Sequence, residues 1–182
     1  MPITTTKKIT YTGILTAVCF VFTAFISIPS LSGGHTNLSD AIIFIASYTL
    51  GPVSAFVVGG LGTFFADFFF YPTTMFISLV IHGTEGLILG LLFKTVRGKK
   101  YELIFDILYM IVAGLFMMGG FFLAKTFIYG NLETALVSLY RNALQVITSV
   151  AVALLVIPHL SFTTRRAKKE QKPPAENKSN KR

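Results

Sequence analysis

Residues 33–74, GGHTNLSDAIIFIASYTLGPVSAFVVGGLGTFFADFFFYPTT, decide the fold of this chain. The stretch runs from a polar loop that opens with two glycines into two apolar segments, which are separated by Gly51-Pro52. Asp67 lies among phenylalanines near the end of the second segment. Apolar segments of this kind belong in lipid, where a charged side chain is costly and needs a partner or a function. The stretch therefore predicts membrane helices that carry a polar site.

Composition places the whole chain in the same class. Of its 182 residues 53% are hydrophobic and only 13% are charged, and the mean hydropathy is +0.67. A soluble domain of this length cannot bury so much apolar surface, so we expect a polytopic membrane protein. Cys19 is the single cysteine and lies inside the first apolar segment, which excludes a disulfide framework and a cysteine-based metal site.

The net charge of +8 is concentrated at the C-terminus. Eight of the sixteen basic residues lie between Arg165 and Arg182, in a polar segment that contains two prolines. We interpret residues 161–182 as a disordered cytoplasmic tail that lies near anionic lipid headgroups and does not bind nucleic acid. Residues 1–160 form a single transmembrane domain in this interpretation.

Six apolar segments precede the tail, and each is predicted to be a helix in an all-α integral membrane protein. The second segment is short for a span of about 20 residues, so we expect it to borrow residues from its flanks or to be shielded by neighbouring helices. The first apolar run is about 20 residues long, which exceeds the h-region of a signal peptide, and we expect a retained helix. The segments are 9–28, 39–48, 53–70, 75–93, 103–127 and 135–157.

The distribution of lysine and arginine predicts the orientation of these helices. If both termini are cytoplasmic, fourteen of the sixteen basic residues lie on the cytoplasmic side. The loops around 29–38, 71–74 and 128–134 then lie outside and carry no basic residue. The sequence thus predicts six transmembrane helices, with the N-terminus and the C-terminus inside.

Polar side chains inside the apolar segments fall in the outer half of the membrane or at its midplane in this topology. His82 and Glu85 are three residues apart and share a helix face. The polar residues of the sixth segment lie within an arc of about 120° at 100° per residue. Such faces are able to converge on one outward-open ligand pocket, or to join helices by hydrogen bonds and ion pairs. The polar set of the third to sixth segments is Asp67, His82, Glu85, Lys125, Arg141, Asn142 and Gln145.

The loop before the second segment carries several further candidates. Asn37 or Ser39 is able to cap the helix, and Asp40 lies at its positively polarised end, so a structural role explains these three residues. That role does not explain His35 or the mobile pair Gly33-Gly34, and we expect this part of the loop to cover the pocket as a lid. The tyrosines Tyr71, Tyr129 and Tyr140 fit either the membrane interface or the pocket.

Three stretches together resemble the S components of energy-coupling factor (ECF) transporters, the substrate-binding membrane subunits that take up vitamins in prokaryotes. The stretches are GGHTNLSDAIIFIASYTLGP, VVGGLGTFFADFFFYP and HGTEGLILGLLF, and the resemblance spans about residues 9–158. It is nearest the branch for riboflavin-like, hydroxymethylpyrimidine or pyridoxine substrates. No GxxxxGK[ST] motif occurs, so this chain has no Walker site of its own for ATP.

The resemblance implies a six-helix bundle in the plasma membrane with a vitamin site under the first loop. It implies a complex with a transmembrane coupling protein and two cytoplasmic ATPases, and delivery of the ligand by toppling of the S component. Gly13 and Ala17 occupy the positions of the family's Ala-xxx-Ala contact with the coupling protein, with glycine replacing the first alanine. We expect no cofactor, metal or catalysis. The predicted substrate-binding residues are His35, Asn37, Asp67, Tyr71, His82, Glu85, Lys125, Arg141, Asn142 and Gln145.

Two other classes of function remain open at this point. A proton-coupled secondary transporter would use Asp67 and Glu85 with Lys125 and Arg141. An intramembrane metal-dependent enzyme would use the His82-x-x-Glu85 pair, but HExxH is absent and the sequence shows no third ligand for zinc.

Overall fold

The computed structural model describes residues 4–29, 35–96, 102–128 and 130–170, with side chains up to residue 159 except those of residues 28, 29 and 35. The described chain is a helical bundle with one small hairpin. Its elements, in order, are α1 (Thr5–Ala24), β1 (Ser27–Pro29), β2 (His35–Asn37), α2 (Ser39–Leu50), α3 (Pro52–Phe70), α4 (Met75–Val96), α5 (Glu102–Leu123), a π-helical turn (Ala124–Ile128) and α6 (Leu132–Glu170).

The surface of the bundle is apolar, as lipid requires. Four stretches are long and apolar enough to cross a membrane: Pro52–Phe70, Met75–Val96, Glu102–Ile128 and Leu132–His159. Their outward faces expose large hydrophobic side chains such as Phe69 and Leu155, whereas charged and amide side chains lie inside. This is the reverse of a soluble protein and matches a membrane protein.

Helix α2 is the shortest of the six helices, with twelve residues. Ten of these residues are buried, because α2 contacts α1, α3, α4 and α6. The structure therefore confirms that neighbouring helices shield the short second segment. Its buried polar side chains therefore lie against other helices and not against lipid.

The hairpin β1–β2 is a feature that the sequence did not predict. The expected first segment ran to residue 28, but α1 ends at Ala24 and the chain becomes extended from Ser27. Ser27 pairs with Asn37 and Pro29 with His35 in antiparallel register. Two three-residue strands carry no alternation long enough to be recognised in a sequence. The hairpin brings the start of α2 back to the end of α1. The predicted lid residues Gly33 and Gly34 lie outside the described residues.

Two glycines allow the close approach of α2, α3 and α4. Gly51 has φ +84° between α2 and α3, a conformation that favours glycine, and Pro52 follows at the first position of α3. A Cβ on Gly59 would lie 2.5 Å from the carbonyl oxygen of His82. The absence of a side chain at Gly59 therefore lets α3 contact the backbone of α4 at the turn that bears His82.

Helix α6 is longer than the membrane is thick. Its 39 residues span about 58 Å at 1.5 Å per residue, against a hydrocarbon core of about 30 Å. The backbone of residues 161–170 is helical, which differs from the disorder predicted for the start of the tail. Alanine, lysine, arginine and glutamate are good helix formers, and adding residues to an existing helix needs no new nucleus. Residues 171–182 lie outside the described part.

Candidate functional site

A polar cavity lies in one half of the bundle, between the β1–β2 end of the chain and α3 to α6. Its empty volume is about 460 Å³, including the open space at its mouth. All helices except α2 contribute to its wall, together with β2 and the π-helical turn. The lining residues are Thr23, Asn37, Thr63, Asp67, Thr74, Ser78, His82, Phe121, Lys125, Arg141, Asn142 and Gln145.

Two carboxylates that do not line the cavity contact the Nδ1 atom of His82. Its Nδ1 lies 3.0 Å from Glu85 Oε2 and 3.3 Å from Asp40 Oδ1, and both acidic side chains are fully buried. A ring nitrogen that faces two carboxylate oxygens is assigned the proton and donates. Nδ1 is thereby occupied, and the ring itself lines the cavity against Phe121, with 5.3 Å between the ring centroids. Asp40 and Glu85 fix the orientation of His82.

Gln145 connects α6 with the N-terminal end of α2. Its Nε2 donates to Asp40 Oδ1 at 3.0 Å, and its Oε1 accepts from the backbone amide of Asn37 at 3.1 Å. Asn37 Oδ1 in turn accepts from the Ser39 amide at 2.8 Å. This confirms the predicted capping role of Asn37 at the entry to α2. Gln145 and Asn37 line the cavity. The Nε2 and Oε1 atoms of Gln145 and the Oδ1 atom of Asn37 are nevertheless already hydrogen-bonded to protein groups.

Asp67 bridges the ends of α3 and α4. Its Oδ2 accepts hydrogen bonds from Thr74 Oγ1 at 2.8 Å and from Ser78 Oγ at 2.6 Å. Only 2% of the residue is exposed. The turn between the helices is closed by the Tyr71 amide, which donates to the Asp67 carbonyl at 2.7 Å. Asp67 therefore forms a fixed wall of the cavity.

Two cationic side chains, those of Lys125 and Arg141, also line the cavity. Lys125 lies in the π-helical turn after α5, and Arg141 and Asn142 lie one turn before Gln145 on α6. Nε and Nη1 of Arg141 and Nδ2 of Asn142 are buried without an acceptor. Interruptions by π-helical turns are frequent at functional sites, and this one turns Lys125 toward the cavity.

The cavity brings together seven of the ten predicted substrate-binding residues: Asn37, Asp67, His82, Lys125, Arg141, Asn142 and Gln145. The prediction for Glu85 needs correction, because Glu85 lies behind His82 and does not line the cavity. Tyr71 does not line it either; it is the C-cap residue of α3. The backbone of His35 belongs to β2, and its side chain, like Tyr129, is not described.

Sequence reasoning missed several members of the site. It assigned Asp40 to helix capping, whereas Asp40 is a buried partner of His82 and Gln145. The signal for Asp40 was its place beside Asn37 in the first of the three resembling stretches. Thr74 and Ser78 are four residues apart at the start of α4, a helical spacing that places them on one face. Nothing distinguishes Thr23 or Phe121 in the sequence.

Asp40, His82 and Glu85 also form a set of possible metal ligands. Each offers one ligand atom, and these atoms lie within 4.8 Å of one another. The third ligand that the sequence did not show is thus present in space as Asp40. A proton on His82 Nδ1 that is shared with Asp40 Oδ1 and Glu85 Oε2 explains the short distances in this cluster. The geometry is therefore compatible with a hydrogen-bonded histidine as well as with a bound metal ion.

Fold and cavity together define a helical membrane protein with a polar cavity inside an apolar bundle. A family model described as "ECF-type riboflavin transporter, S component" matches residues 3–161. The chain belongs to this family, and it is therefore a transporter S component and not a member of an enzyme family. The predicted resemblance is confirmed.

Individual relatives agree with this assignment. The chain is 31% identical over 160 residues to the thiamine precursor transporter HmpT of Lactococcus lactis subsp. cremoris (strain MG1363), covering 86% of this chain and 89% of the relative. It is 29% identical over 133 residues to an uncharacterised protein of Pyrococcus woesei, covering 72% and 86% of the two chains. A solved structure described as the S component of a bacterial ECF transporter superposes with a TM-score of 0.68 at 20% identity, over 88% of this chain and 99% of that one. This last likeness shows the fold.

Proposed function

We propose that this S component binds a water-soluble vitamin or vitamin precursor on the outer side of a prokaryotic plasma membrane. The observation that carries the proposal is the polar cavity, in which a histidine and an amide with an unbonded donor face open space inside an apolar bundle. Hydroxymethylpyrimidine is the first candidate, since the Lactococcus relative is named for a thiamine precursor. Pyridoxine and riboflavin-like compounds are the other candidates.

Heteroaromatic rings of this kind suit the wall of the cavity. His82 and Phe121 present ring faces, and Asn142 Nδ2 is an unused donor for a ring nitrogen or hydroxyl. In this proposal the chemistry is recognition without catalysis, as expected for the transporter family to which the chain belongs. In this proposal six helices span the membrane, with both termini in the cytoplasm and the cavity open to the outside.

The proposed partners are a transmembrane coupling protein and two cytoplasmic ATPases, which drive inward delivery by toppling. Gly13 and Ala17 are exposed on α1, and no heavy atom lies within 4 Å of a Cβ built on Gly13. These small residues are therefore not used for contacts inside the bundle. They leave room for the close approach of a helix from another protein.

The proposal is tested by uptake experiments in cells that express the chain. The labelled compounds are hydroxymethylpyrimidine, pyridoxine and riboflavin. We expect uptake of one compound when the coupling protein and ATPases are present and none when they are deleted. Uptake that persists without the ATPases would instead support a proton-coupled secondary transporter. A stoichiometric metal ion in the purified protein, together with turnover of a compound, would support the intramembrane enzyme.

Variants separate binding from coupling. Gly13→Leu and Ala17→Leu are expected to abolish uptake while ligand binding to the purified protein stays within about twofold. Tyr11→Leu is the matched control, because Tyr11 is exposed on α1 and lies about 200° around the helix from Gly13. Equal uptake by Gly13→Leu and the control would contradict the proposed interface.

A further inference from the structure

We infer that the ligand of this cavity carries an anionic group, a carboxylate or a phosphate ester, which Arg141 and Lys125 hold together. The inference rests on the proposed function as a binding subunit and narrows its substrate class. It concerns the charge of the ligand, which neither the family nor the name of any relative specifies.

The cavity wall has more unused donors than unused acceptors among the described side chains. The acceptors Gln145 Oε1, Asn37 Oδ1 and Asp67 Oδ2 each receive a hydrogen bond from protein. The buried oxygens that have no partner in the acidic cluster behind His82 do not line the cavity. On the wall itself, Nε and Nη1 of Arg141 and Nδ2 of Asn142 are buried and have no acceptor. Buried donors without a partner are costly, so a ligand that supplies several acceptor atoms at this wall gains the most.

Cations outnumber carboxylates on the described wall of the cavity: Lys125 and Arg141 face one carboxylate, that of Asp67. The Oδ2 of Asp67 accepts hydrogen bonds from two hydroxyl groups, and neither cation has a carboxylate within 4.0 Å among the described side chains. The acids Asp40 and Glu85 lie behind the wall. Two cations that touch no anion inside an apolar bundle are unfavourable, and an anionic group on the ligand provides that contact.

The two cations come from different elements and line the same cavity. Lys125 lies in the π-helical turn and Arg141 on α6, and like charges at one cavity repel each other. An anion between them removes that repulsion and accepts charge-assisted hydrogen bonds from both. A planar guanidinium with two free donors is suited to a carboxylate or phosphate, which it binds through two oxygens.

The position of the aromatic wall completes the description of the ligand. His82 and Phe121 line the cavity together with the two cations. The ligand therefore combines a ring, placed against His82 and Phe121, with an acidic substituent that reaches Arg141 and Lys125. A purely neutral vitamin would leave both cations without a contacting anion among the described side chains.

Calorimetry with matched neutral and anionic compounds tests the inference. The pairs are hydroxymethylpyrimidine and its monophosphate, pyridoxine and pyridoxine 5′-phosphate, pyridoxine and 4-pyridoxic acid, and riboflavin and flavin mononucleotide. We expect an anionic compound to bind the full-length wild-type protein at least tenfold more tightly than its neutral counterpart. The pairs separate a phosphate ester from a carboxylate as the preferred group.

Charge-removing variants identify the residues responsible. Arg141→Gln and Lys125→Gln are each expected to weaken binding of the anionic compound at least tenfold and that of the neutral compound less than threefold. Lys94→Gln is the control, because Lys94 is exposed at the far end of α4. It removes the same charge and is expected to change neither affinity.

The outcomes distinguish this inference from the proposed function. If a neutral compound binds tightly and its anionic counterpart binds no better, the proposed function stands and the inference is wrong. The inference is also wrong if Arg141→Gln weakens both compounds equally. If no compound binds and no uptake occurs, the proposed function fails and the inference fails with it.

Discussion

The two halves of the helical bundle are built from the same helices and have opposite interiors. In one half, α4, α5 and α6 enclose a polar cavity with unused hydrogen-bond donors. In the other half, the same helices and α2 enclose a close-packed apolar core. That core consists of Phe44, Tyr48, Leu89, Phe93, Met110, Ala113, Ala153 and Ile157.

The difference separates stability from function along the length of each helix. Apolar contacts in the closed half are many and individually small, and together they hold the helices at fixed distances. The cavity half gives up such contacts and keeps polar atoms that protein groups do not satisfy. Under the proposed function, the closed half holds the helices in place while the cavity half receives the ligand. Substitutions in the closed half should therefore change mainly stability, and substitutions in the cavity half should change mainly ligand affinity.

The largest effect is expected from a charge placed in the closed half. Phe44 is fully buried in the apolar core, so Phe44→Asp creates both a cavity and an unpaired charge. The free energy of unfolding should fall by at least about 4 kcal/mol. Cys19 is fully buried, so its labelling by a thiol-reactive fluorophore during heating reports unfolding. Phe44→Leu is the control and should cost about 1 kcal/mol. Similar unfolding curves for both variants would contradict the proposed role of this core.

The second effect concerns the close contact between α3 and α4 at Gly59. Gly59→Val places a side chain 2.5 Å from the His82 carbonyl oxygen and 3.1 Å from Ile43 Cδ1, and the helices have to separate. We expect a loss of about 3 kcal/mol in stability and loss of detectable ligand binding. Gly13→Val is the matched control, since the space around Gly13 is open. Unchanged binding in Gly59→Val would show that α3 and α4 tolerate a wider spacing.

The third effect should have opposite signs for stability and binding. Asn142→Leu removes a buried donor that has no acceptor and adds an apolar side chain of similar size. Stability should stay unchanged or rise by up to about 1 kcal/mol, while ligand affinity falls at least tenfold. Thr148→Leu on the exposed face of α6 controls for the added leucine. A clear loss of stability in Asn142→Leu would mean that Asn142 has a structural role.

The smallest effect is expected from a hydroxyl between α2 and α4. Ser47 Oγ lies 2.8 Å from the Ile43 carbonyl oxygen and 3.1 Å from the Gly86 carbonyl oxygen. Ser47→Ala removes this link and should cost about 0.5–1 kcal/mol, with no change in ligand affinity. Thermal unfolding and calorimetry on the same preparation measure both quantities. A change in affinity without a change in stability would place Ser47 in the binding function.

The sequence determined the class of fold and most of the polar set. Apolar segments longer than ten residues require helices in lipid, because backbone groups find hydrogen-bond partners there only within a helix or a closed barrel. Polar residues at helical spacing marked the faces that turn inward, as Ser138, Asn142, Gln145 and Ser149 do on α6. Local rules were sufficient for these predictions because spacing along a helix fixes which residues share a face.

Only the tertiary structure decided how those faces are rotated against each other. It placed Glu85 behind His82 and brought Asp40 from α2 into the same cluster. It joined Asp40 to α6 through a hydrogen bond from Gln145. It also added the β1–β2 hairpin and left the donors of Arg141 free. These contacts join residues as many as 105 positions apart in the chain. Such contacts depend on the distance and rotation between helices, which side-chain volumes throughout the bundle set together and which no local spacing records.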